Sequence, residues 1–262
     1  ELIFWDNQSS DQSAQIVSNY NHPKIRYFLA SKFTSLGEAR SLAFEKAKGD
    51  WIAFLDCDDF WDKDKLQYQV DAIKAYKGKV GLVYSNCQLF KDVVKKNVVS
   101  RLTRVAPGNK QLPQGDISKH LFSGNFIPFP SILYNKSAVL KSGNFSRFKF
   151  CPDYYLSLSI SLNYNIIAIN KTLCFYRLHN TNLSKYTKEI GILESINIVK
   201  LLAKERNSTK VLRVHQARYL FYLVKNNSFK KIIYLIKEIN LVNLLLGILD
   251  IINYRRKFNT KL

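Results

Sequence analysis

The stretch Trp51-Ile52-Ala53-Phe54-Leu55-Asp56-Cys57-Asp58-Asp59 places three carboxylates directly behind five apolar residues. A short apolar run that ends abruptly in charge predicts a strand buried on both faces of a parallel sheet. The acids then lie at the carboxyl edge of that strand, which is where ligands bind in open α/β sheets. Because clustered carboxylates repel one another, a cation or a proton is expected to offset their charge.

A hard divalent cation is the natural counterion for this cluster. Mg²⁺ is typically held by one or two carboxylates together with substrate phosphates, so Asp56 and Asp58 fit a site for a nucleoside diphosphate. The same Asp-x-Asp pattern is equally typical of a solvated acidic turn in which Asp59 or Asp62 caps the next helix. The rest of the sequence has to decide between these two interpretations.

The flanking sequence predicts an α/β domain. A second apolar run, Leu2-Ile3-Phe4-Trp5, also ends in polar residues, Asp6 and Asn7. It is followed by a strand over residues 25–29 and a helix over 37–48 that Gly49 closes. Strands that alternate with helices predict a mostly parallel sheet flanked by helices.

Further elements are predicted downstream. The predictions are a helix over 62–76 with Leu66, Val70 and Ile73 on one face, a strand over 80–84 with 85–90 as its partner across a bend, a loop over 91–115, an edge strand or irregular segment over 125–134, and helices over 137–141 and 154–160. Asp153 is expected to cap the last of these helices. Two helical stretches are predicted between residues 228 and 258.

Eight segments, taken in order, carry a resemblance. They are Asp6-Asn7-x-Ser9-Ser10-Asp11, Glu38-Ala39-Arg40-Ser41, residues 46–59, Asn125-Phe126-Ile127, Pro130-Ser131, Gly143-Asn144-Phe145, Pro152-Asp153-Tyr154-Tyr155-Leu156 and Tyr176-Arg177-Leu178-His179. This series resembles the family 2 inverting glycosyltransferases of the GT-A fold. The resemblance covers residues 1–184, without the strand that usually precedes them, and leaves 185–262 as a basic helical tail or subdomain.

The resemblance implies a role for each matched residue. Asp153 is implied as the general base, and Asp58 and His179 as metal ligands for Mn²⁺ or Mg²⁺. Implied contacts to the nucleotide sugar come from Asp6, Asn7, Arg40, Asp56 and Arg177. Pro152 stands where the family usually has Glu, which weakens what can be inferred about the acceptor.

The implied reaction moves a sugar from a nucleoside-diphosphate donor to a hydroxyl of a glycan or lipid-linked acceptor, with inversion. Two alternatives remain open. A nucleotidyltransferase also uses an α/β sheet, acids and Mg²⁺. A non-catalytic module that binds membranes or polyanions on a transferase-like scaffold is suggested by Pro152 and by the charge.

The chain is strongly basic, with a net charge of +20. Residues 185–262 hold 16 Lys or Arg against 5 Asp or Glu, whereas residues 1–184 hold 24 against 15. Such charge attracts nucleic acid, anionic lipid or polyanionic substrates. Because no nucleic-acid-binding signature accompanies it, nucleic acid is not expected as a partner.

The apolar residues beside lysines in 228–258 have two explanations, an interfacial helix on an anionic membrane surface or a subdomain that packs its own core.

The four cysteines, Cys57, Cys87, Cys151 and Cys174, lack metal-site spacing and favour a reducing compartment. No run of 18 apolar residues is present. We therefore expect a cytoplasmic protein, peripheral on the inner face of the cytoplasmic membrane.

Overall fold

The computed structural model describes residues 1–95, 98–106, 111–203, 208–239 and 241–258. The strands are β1 Leu2–Asp6, β2 Ile25–Leu29, β3 Trp51–Ala53, β4 Phe60–Trp61, β5 Val80–Lys95, β6 Val98–Ala106, β7 Leu133–Asn135 and β8 Asn165–Arg177. The helices are α1 Ser13–Ser18, α2 Leu36–Lys46, α3 Lys65–Ala75, α4 Ser118–Phe122, α5 Lys136–Ser142, α6 Pro152–Ser161, α7 Leu183–Tyr186, α8 Lys188–Leu202, α9 Ser208–Lys225, α10 Phe229–Glu238 and α11 Leu241–Phe258.

The chain divides into two compact units. The sheet unit comprises Glu1–Ser118 and Phe126–Asn180, and the helical unit comprises Lys119–Asn125 and Thr181–Leu262. All the strands named above belong to the sheet unit. The candidate site residues from Asp6 to His179 belong to it as well.

The predicted α/β class is confirmed, with a mixed pattern of strand pairing. In the described residues β1 pairs with β2 in parallel, and a six-stranded sheet has the order β3-β7-β5-β8-β4 with β6 on β5. Within that larger sheet the β5 and β8 pair is parallel, and the other pairs are antiparallel. The key strand, β3, pairs with an antiparallel neighbour, β7, and of its three residues only Ile52 is buried, so the prediction of a strand buried on both faces of a parallel sheet is wrong here.

Two predictions in the middle of the chain are wrong. Residues 85–90 continue β5 alongside β8 through irregularities near Asn86, and form no separate partner strand. Residues 91–95 and 98–106 form a β-hairpin where a loop was expected; 96–97 and 107–110 lie outside the described residues. The β-branched residues of this segment favour strand despite its many charges.

The segment over 125–134 was expected to be an edge strand or irregular, and its last two residues instead belong to an interior strand. It forms a 3₁₀ turn, Phe129–Ser131, and then β7, which lies between β3 and β5. Pro128 and Pro130 lie outside the strand, so neither removes a ladder hydrogen bond.

Two helices differ at their ends from the predicted boundaries. The Ser35 hydroxyl accepts a hydrogen bond from the Glu38 amide at 3.3 Å, so α2 begins at Leu36, and it ends with Ala47 rather than Gly49 as its C-cap. Asp153 was expected to be an N-cap and instead lies inside the first turn of α6, with Cys151 at the N-cap.

Helix α3 buries a polar pair and exposes part of its apolar face. Leu66 and Val70 are exposed, whereas Lys65 and Gln69 are buried. Lys65 Nζ donates to Gln69 Oε1 at 2.9 Å and lies 4.1 Å from the centroid of the Trp61 ring. Burial lowers the pKa of Lys65 to about 8.

The buried polar pair is anchored to the 3₁₀ turn that precedes β7. Gln69 Nε2 donates to the Ser131 carbonyl at 2.8 Å, and Trp61 Nε1 donates to the Pro130 carbonyl at 2.8 Å. Because buried polar networks are stable only when their members are satisfied, these bonds fix the position of the turn that carries Phe129.

The helical unit has its own apolar core. One cluster joins Ile196 of α8, Tyr219 and Leu223 of α9 and Leu235 of α10. A second cluster joins Val214 and Ala217 of α9 with Ile251 of α11. Among the described residues no single helix is long and apolar enough to cross a membrane; α10 with residues 241–253 passes that test only as a pair bent by 103°.

We expect the helical unit to lose stability as the pH falls from about 6.5 to about 4. His215 is buried, its Nε2 donates to the Phe122 carbonyl at 2.9 Å, and burial followed by the nearby Arg218 charge lowers its pKa to about 4. In that pH window the unfolded chain binds more protons than the folded one, so stability is complete above it and declines on acidification. The loss attributable to His215 is about 3 kcal/mol.

Chemical denaturation followed by circular dichroism at pH 7 and pH 5 tests this expectation. His215→Gln keeps a hydrogen-bond donor and is expected to flatten the pH dependence. His22→Gln, at an exposed histidine, is the matched control and should leave it unchanged. If the free energy of unfolding changes equally between pH 7 and pH 5 in the wild type and in His215→Gln, the role assigned to His215 is contradicted.

Candidate active site

Asp56 and Arg40 form an ion pair directly beyond β3. Nη2 of Arg40 lies 3.0 Å and 3.1 Å from the two carboxylate oxygens of Asp56. The Arg40 guanidinium lies 3.7 Å from the centroid of the Phe129 ring, and the residue is only 9% exposed. Because the Asp56 side chain is 40% exposed, the buried arginine holds a carboxylate that solvent or a ligand can reach.

Asp58 and His179 meet although they are 121 positions apart in sequence. Oδ2 of Asp58 lies 2.7 Å from Nε2 of His179. Both side chains are about one third exposed. The structure therefore brings the two predicted metal ligands into direct contact at an accessible position.

Arg177 and Asp59 tie the acidic segment to the end of β8. The Arg177 amide donates to Oδ1 of Asp59 at 2.9 Å, and Nε of Arg177 donates to the carbonyl of Asp58 at 3.1 Å. Oδ2 of Asp59 is buried without a hydrogen-bond partner. Burial first, and then the neighbouring Asp58 and Asp56 carboxylates, raise the pKa of Asp59 to about 7, although the hydrogen bond from the Arg177 amide lowers it.

Asp6 ends β1 and is almost fully buried. Its Oδ1 accepts from the Ser9 amide at 2.7 Å, and its Oδ2 accepts from the Tyr27 hydroxyl at 2.7 Å. Burial alone raises the pKa of Asp6, but these hydrogen bonds outweigh it and leave the pKa below the ordinary value. Next to it, Asn7 exchanges hydrogen bonds with Thr34, donating to its carbonyl at 2.9 Å.

Three of the residues predicted to bind the nucleotide sugar line one cavity of about 410 Å³. Asn7, Arg40 and Asp56 contribute to its wall, together with apolar residues of β1, α2 and β3. The lining residues do not include Asp6, Asp58, Arg177 or His179.

Asp153 lies at the N-terminal end of α6 and is half-buried. Burial first, and then the Asp153 charge, raise the pKa of the buried Tyr134, whereas the Arg40 charge lowers it. Both groups therefore lie within electrostatic reach of the same side chain of β7. Tyr134 also contacts Phe54 of the acidic stretch, with ring centroids 6.5 Å apart.

Sequence reasoning missed Asp59 and Phe129 as parts of the site. Asp59 received only a capping role, although it holds the backbone of Arg177. Phe129 follows one proline and precedes another, and nothing in that pattern indicated that its ring would cover Arg40. The neighbouring Pro130-Ser131 motif was the available signal for the importance of this turn.

The side chains present fit a divalent cation bound together with a diphosphate. Carboxylate oxygen and imidazole nitrogen are both ligands for Mn²⁺, and adjacent ligands around a six-coordinate ion lie about 3 Å apart. The 2.7 Å between Asp58 and His179 is close to that spacing. The described residues hold no group of three His, Cys, Asp or Glu arranged for a metal, so substrate oxygens would have to complete the coordination.

The sheet unit, with the acidic segment that follows β3 beside a cavity lined by Asn7, Arg40 and Asp56, has a fold of the GT-A type. The structure of Staphylococcus aureus TarS residues 1–349 in complex with UDP shares this fold, with a TM-score of 0.57 and 18% identity over 84% of this chain and 61% of that one. Residues 1–127, just under half of the chain, match the profile of Glycosyl transferase family 2, which confirms the resemblance seen in the ordered sequence motifs.

Curated bacterial relatives agree with this assignment. The Escherichia coli enzyme WfgD, named as a UDP-Glc:alpha-D-GlcNAc-diphosphoundecaprenol beta-1,3-glucosyltransferase, is 28% identical over 70% of this chain and 68% of its own length. The amylovoran biosynthesis glycosyltransferase AmsB of Erwinia amylovora is 26% identical over 68% of this chain and 60% of its own length. The chain thus spans about two thirds of these proteins.

Proposed function

We propose that this chain is a metal-dependent inverting glycosyltransferase that uses a nucleoside-diphosphate sugar. The proposal rests on two contacts that one short acidic segment makes. Asp56 forms an ion pair with Arg40, and Asp58 contacts His179. One contact belongs to the predicted sugar-nucleotide pocket, and the other supplies two ligands for a cation.

Mn²⁺ or Mg²⁺ would be held by Asp58 and His179 and, when bound, would neutralise the charge that develops on the departing diphosphate. Arg40 keeps the Asp56 carboxylate in a fixed position next to the cavity, where it can receive hydroxyls of the donor. Asp6 and Asn7, held by Tyr27 and Thr34, contribute the β1 side of the nucleotide pocket. Arg177 holds the acidic segment at the end of β8 through its backbone contacts.

Asp153 is proposed as the general base. A carboxylate within the first turn of α6 lies at the positive end of the helix dipole, which favours its ionised form. As a base it accepts the proton of the acceptor hydroxyl while that oxygen attacks the anomeric carbon from the face opposite the diphosphate. One displacement of this kind inverts the anomeric centre.

We propose UDP-glucose, or a closely related UDP-hexose, as the donor. The names of WfgD and of a second E. coli relative, WfaP, which is 28% identical over 76% of this chain, both specify UDP-Glc. The same names support a lipid-linked diphosphate glycan as the acceptor. An acceptor of that type would place the enzyme at the inner face of the cytoplasmic membrane as a peripheral protein.

The donor proposal is tested by thermal shift with Mn²⁺, because a ligand that binds only the folded state raises the melting temperature. UDP-glucose with Mn²⁺ is expected to raise it by several degrees, and the shift should vanish with EDTA. GDP-mannose with Mn²⁺ and free glucose are the controls. A larger shift with GDP-mannose would overturn the choice of donor.

A further inference from the structure

Helix α11 packs one of its faces on α9. Val214 and Ala217 of α9 contact Ile251 of α11, and Leu244 is also buried. A Cβ added at Gly247 would lie 2.3 Å from the Arg213 carbonyl oxygen, so the two helices cross in close contact there. This face is therefore fully used within the helical unit.

The opposite face of α11 is aliphatic and exposed. Its residues are each between 40 and 60% exposed: Leu241, Val242, Leu245, Leu246, Leu249 and Ile252. Their spacing of three and four places them on one stripe of the helix. Asp250 lies off this stripe and is held by Arg213 at 3.4 Å and Lys210 at 3.6 Å. An exposed apolar surface of this extent marks an interaction site.

Helix α10 also has a packed side and an exposed side. Ile232 and Leu235, with the following Ile239, pack against Tyr219 and Leu223, whereas Phe229, Ile233 and Tyr234 are exposed. The two explanations open from the sequence thus apply to different faces of these helices. The core explanation accounts for this side of α10, and the exposed stripe of α11 is left for a partner.

We propose that the exposed face of α11 docks on the surface of an anionic lipid bilayer, with the helix axis parallel to the membrane. Charge complementarity selects this partner. The helix continues after the stripe into Arg255-Arg256-Lys257, and residues 185–262 carry 16 basic against 5 acidic residues. An aliphatic stripe beside clustered cations is stabilised at an anionic interface by burial of the stripe and by attraction to headgroups.

This inference rests on the proposed lipid-linked acceptor for its role in the cell. Docking would bring the enzyme to an acceptor that is confined to the membrane. The contact itself needs neither donor nor acceptor, so it can be measured apart from sugar transfer.

Co-sedimentation with vesicles tests the proposal. One set contains phosphatidylcholine alone, and the other contains phosphatidylcholine with about 30% phosphatidylglycerol, whose negative charge attracts basic segments. The double variant Leu245→Gln/Leu249→Gln removes two leucines from the centre of the stripe. The matched control is Leu140→Gln, at a 66% exposed leucine of α5.

Wild type and the Leu140→Gln control should bind anionic vesicles at least tenfold more strongly than neutral ones, and the double variant should lose at least tenfold in binding to anionic vesicles. Circular dichroism checks that the variants fold, and Leu241→Gln/Ile252→Gln replaces the first pair if they do not. Unchanged vesicle binding by a folded stripe variant would overturn the proposal.

A second copy of the chain is the competing occupant of this face. Light scattering that shows a dimer, dissociated by the stripe variant, together with no preference for anionic vesicles, would assign the face to self-association and overturn the lipid proposal. Because the vesicles contain no sugar nucleotide, a wild-type protein that does not bind anionic vesicles but shows the UDP-glucose thermal shift rejects this inference alone. The reverse pattern rejects the proposed donor alone.

Discussion

Asp58→Asn is expected to reduce sugar transfer by about 10³-fold or more while leaving the fold intact. Asparagine keeps the size of the side chain and a hydrogen bond to His179, but it removes the negative charge that would hold the cation. Cation stabilisation of a departing phosphate contributes several kcal/mol, and each 1.36 kcal/mol corresponds to a factor of ten in rate. The Asp58 side chain is 38% exposed, so its neutralisation should change the melting temperature little.

Steady-state transfer from UDP-glucose with titrated Mn²⁺ measures this effect. The variant should also lose the response to Mn²⁺ in the thermal-shift assay. Asp71→Asn is the matched control, because Asp71 is an exposed acid of α3 that accepts a hydrogen bond from Gln67. Activity above one tenth of wild type at saturating Mn²⁺ would refute the role assigned to Asp58.

Asp153→Asn is expected to lower kcat by about 10² to 10⁴-fold, the usual contribution of a positioned general base. Donor binding should be unchanged, because Asp153 acts on the acceptor hydroxyl and does not hold the diphosphate. This pattern separates Asp153 from Asp58, whose loss should weaken donor binding as well. The measurements are single-turnover transfer rates and the UDP-glucose thermal shift for the same variant.

A control variant tests whether Asp153→Asn lowers activity only by destabilising the first turn of its helix. An acid in the first turn stabilises a helix by about 0.3–1 kcal/mol through the helix dipole. Glu38→Gln removes the corresponding acid from α2 and should leave kcat within about threefold of wild type, in line with that small contribution. If both variants lose activity equally, helix stability rather than base catalysis explains the result.

Local sequence patterns predicted the fold class because apolar runs that end in polar residues alternate with helical stretches in the first half of the sheet unit. The strand over residues 25–29 has the predicted boundaries, and β1 and β2 pair in parallel as expected. Predictions failed where partners decide the structure. β5 continues through residues 85–90 because β8 offers a ladder beside it, and no local pattern shows that neighbour.

Lys65 and Gln69 of α3 also show that a local pattern does not reveal tertiary partners. A polarity pattern assigns lysine and glutamine to the surface, so Leu66 and Val70 were expected to share the inward face. Lys65 and Gln69 are buried instead because Trp61 and the carbonyls of the turn before β7 supply their partners. Burial of charged or polar groups is tolerated where such partners exist, and only the tertiary structure reveals them.

The amino-acid sequence by itself determined the α/β class, the acidic segment after β3, the basic C-terminal region and, through its ordered motifs, the resemblance to family 2 glycosyltransferases. The tertiary structure decided which side chains meet: Arg40 with Asp56, and Asp58 with His179. It also decided that α11 packs one face on α9 and keeps the opposite, aliphatic face exposed. Composition and spacing fix which groups a segment carries and which face they share, whereas contacts between distant segments depend on how the whole chain packs.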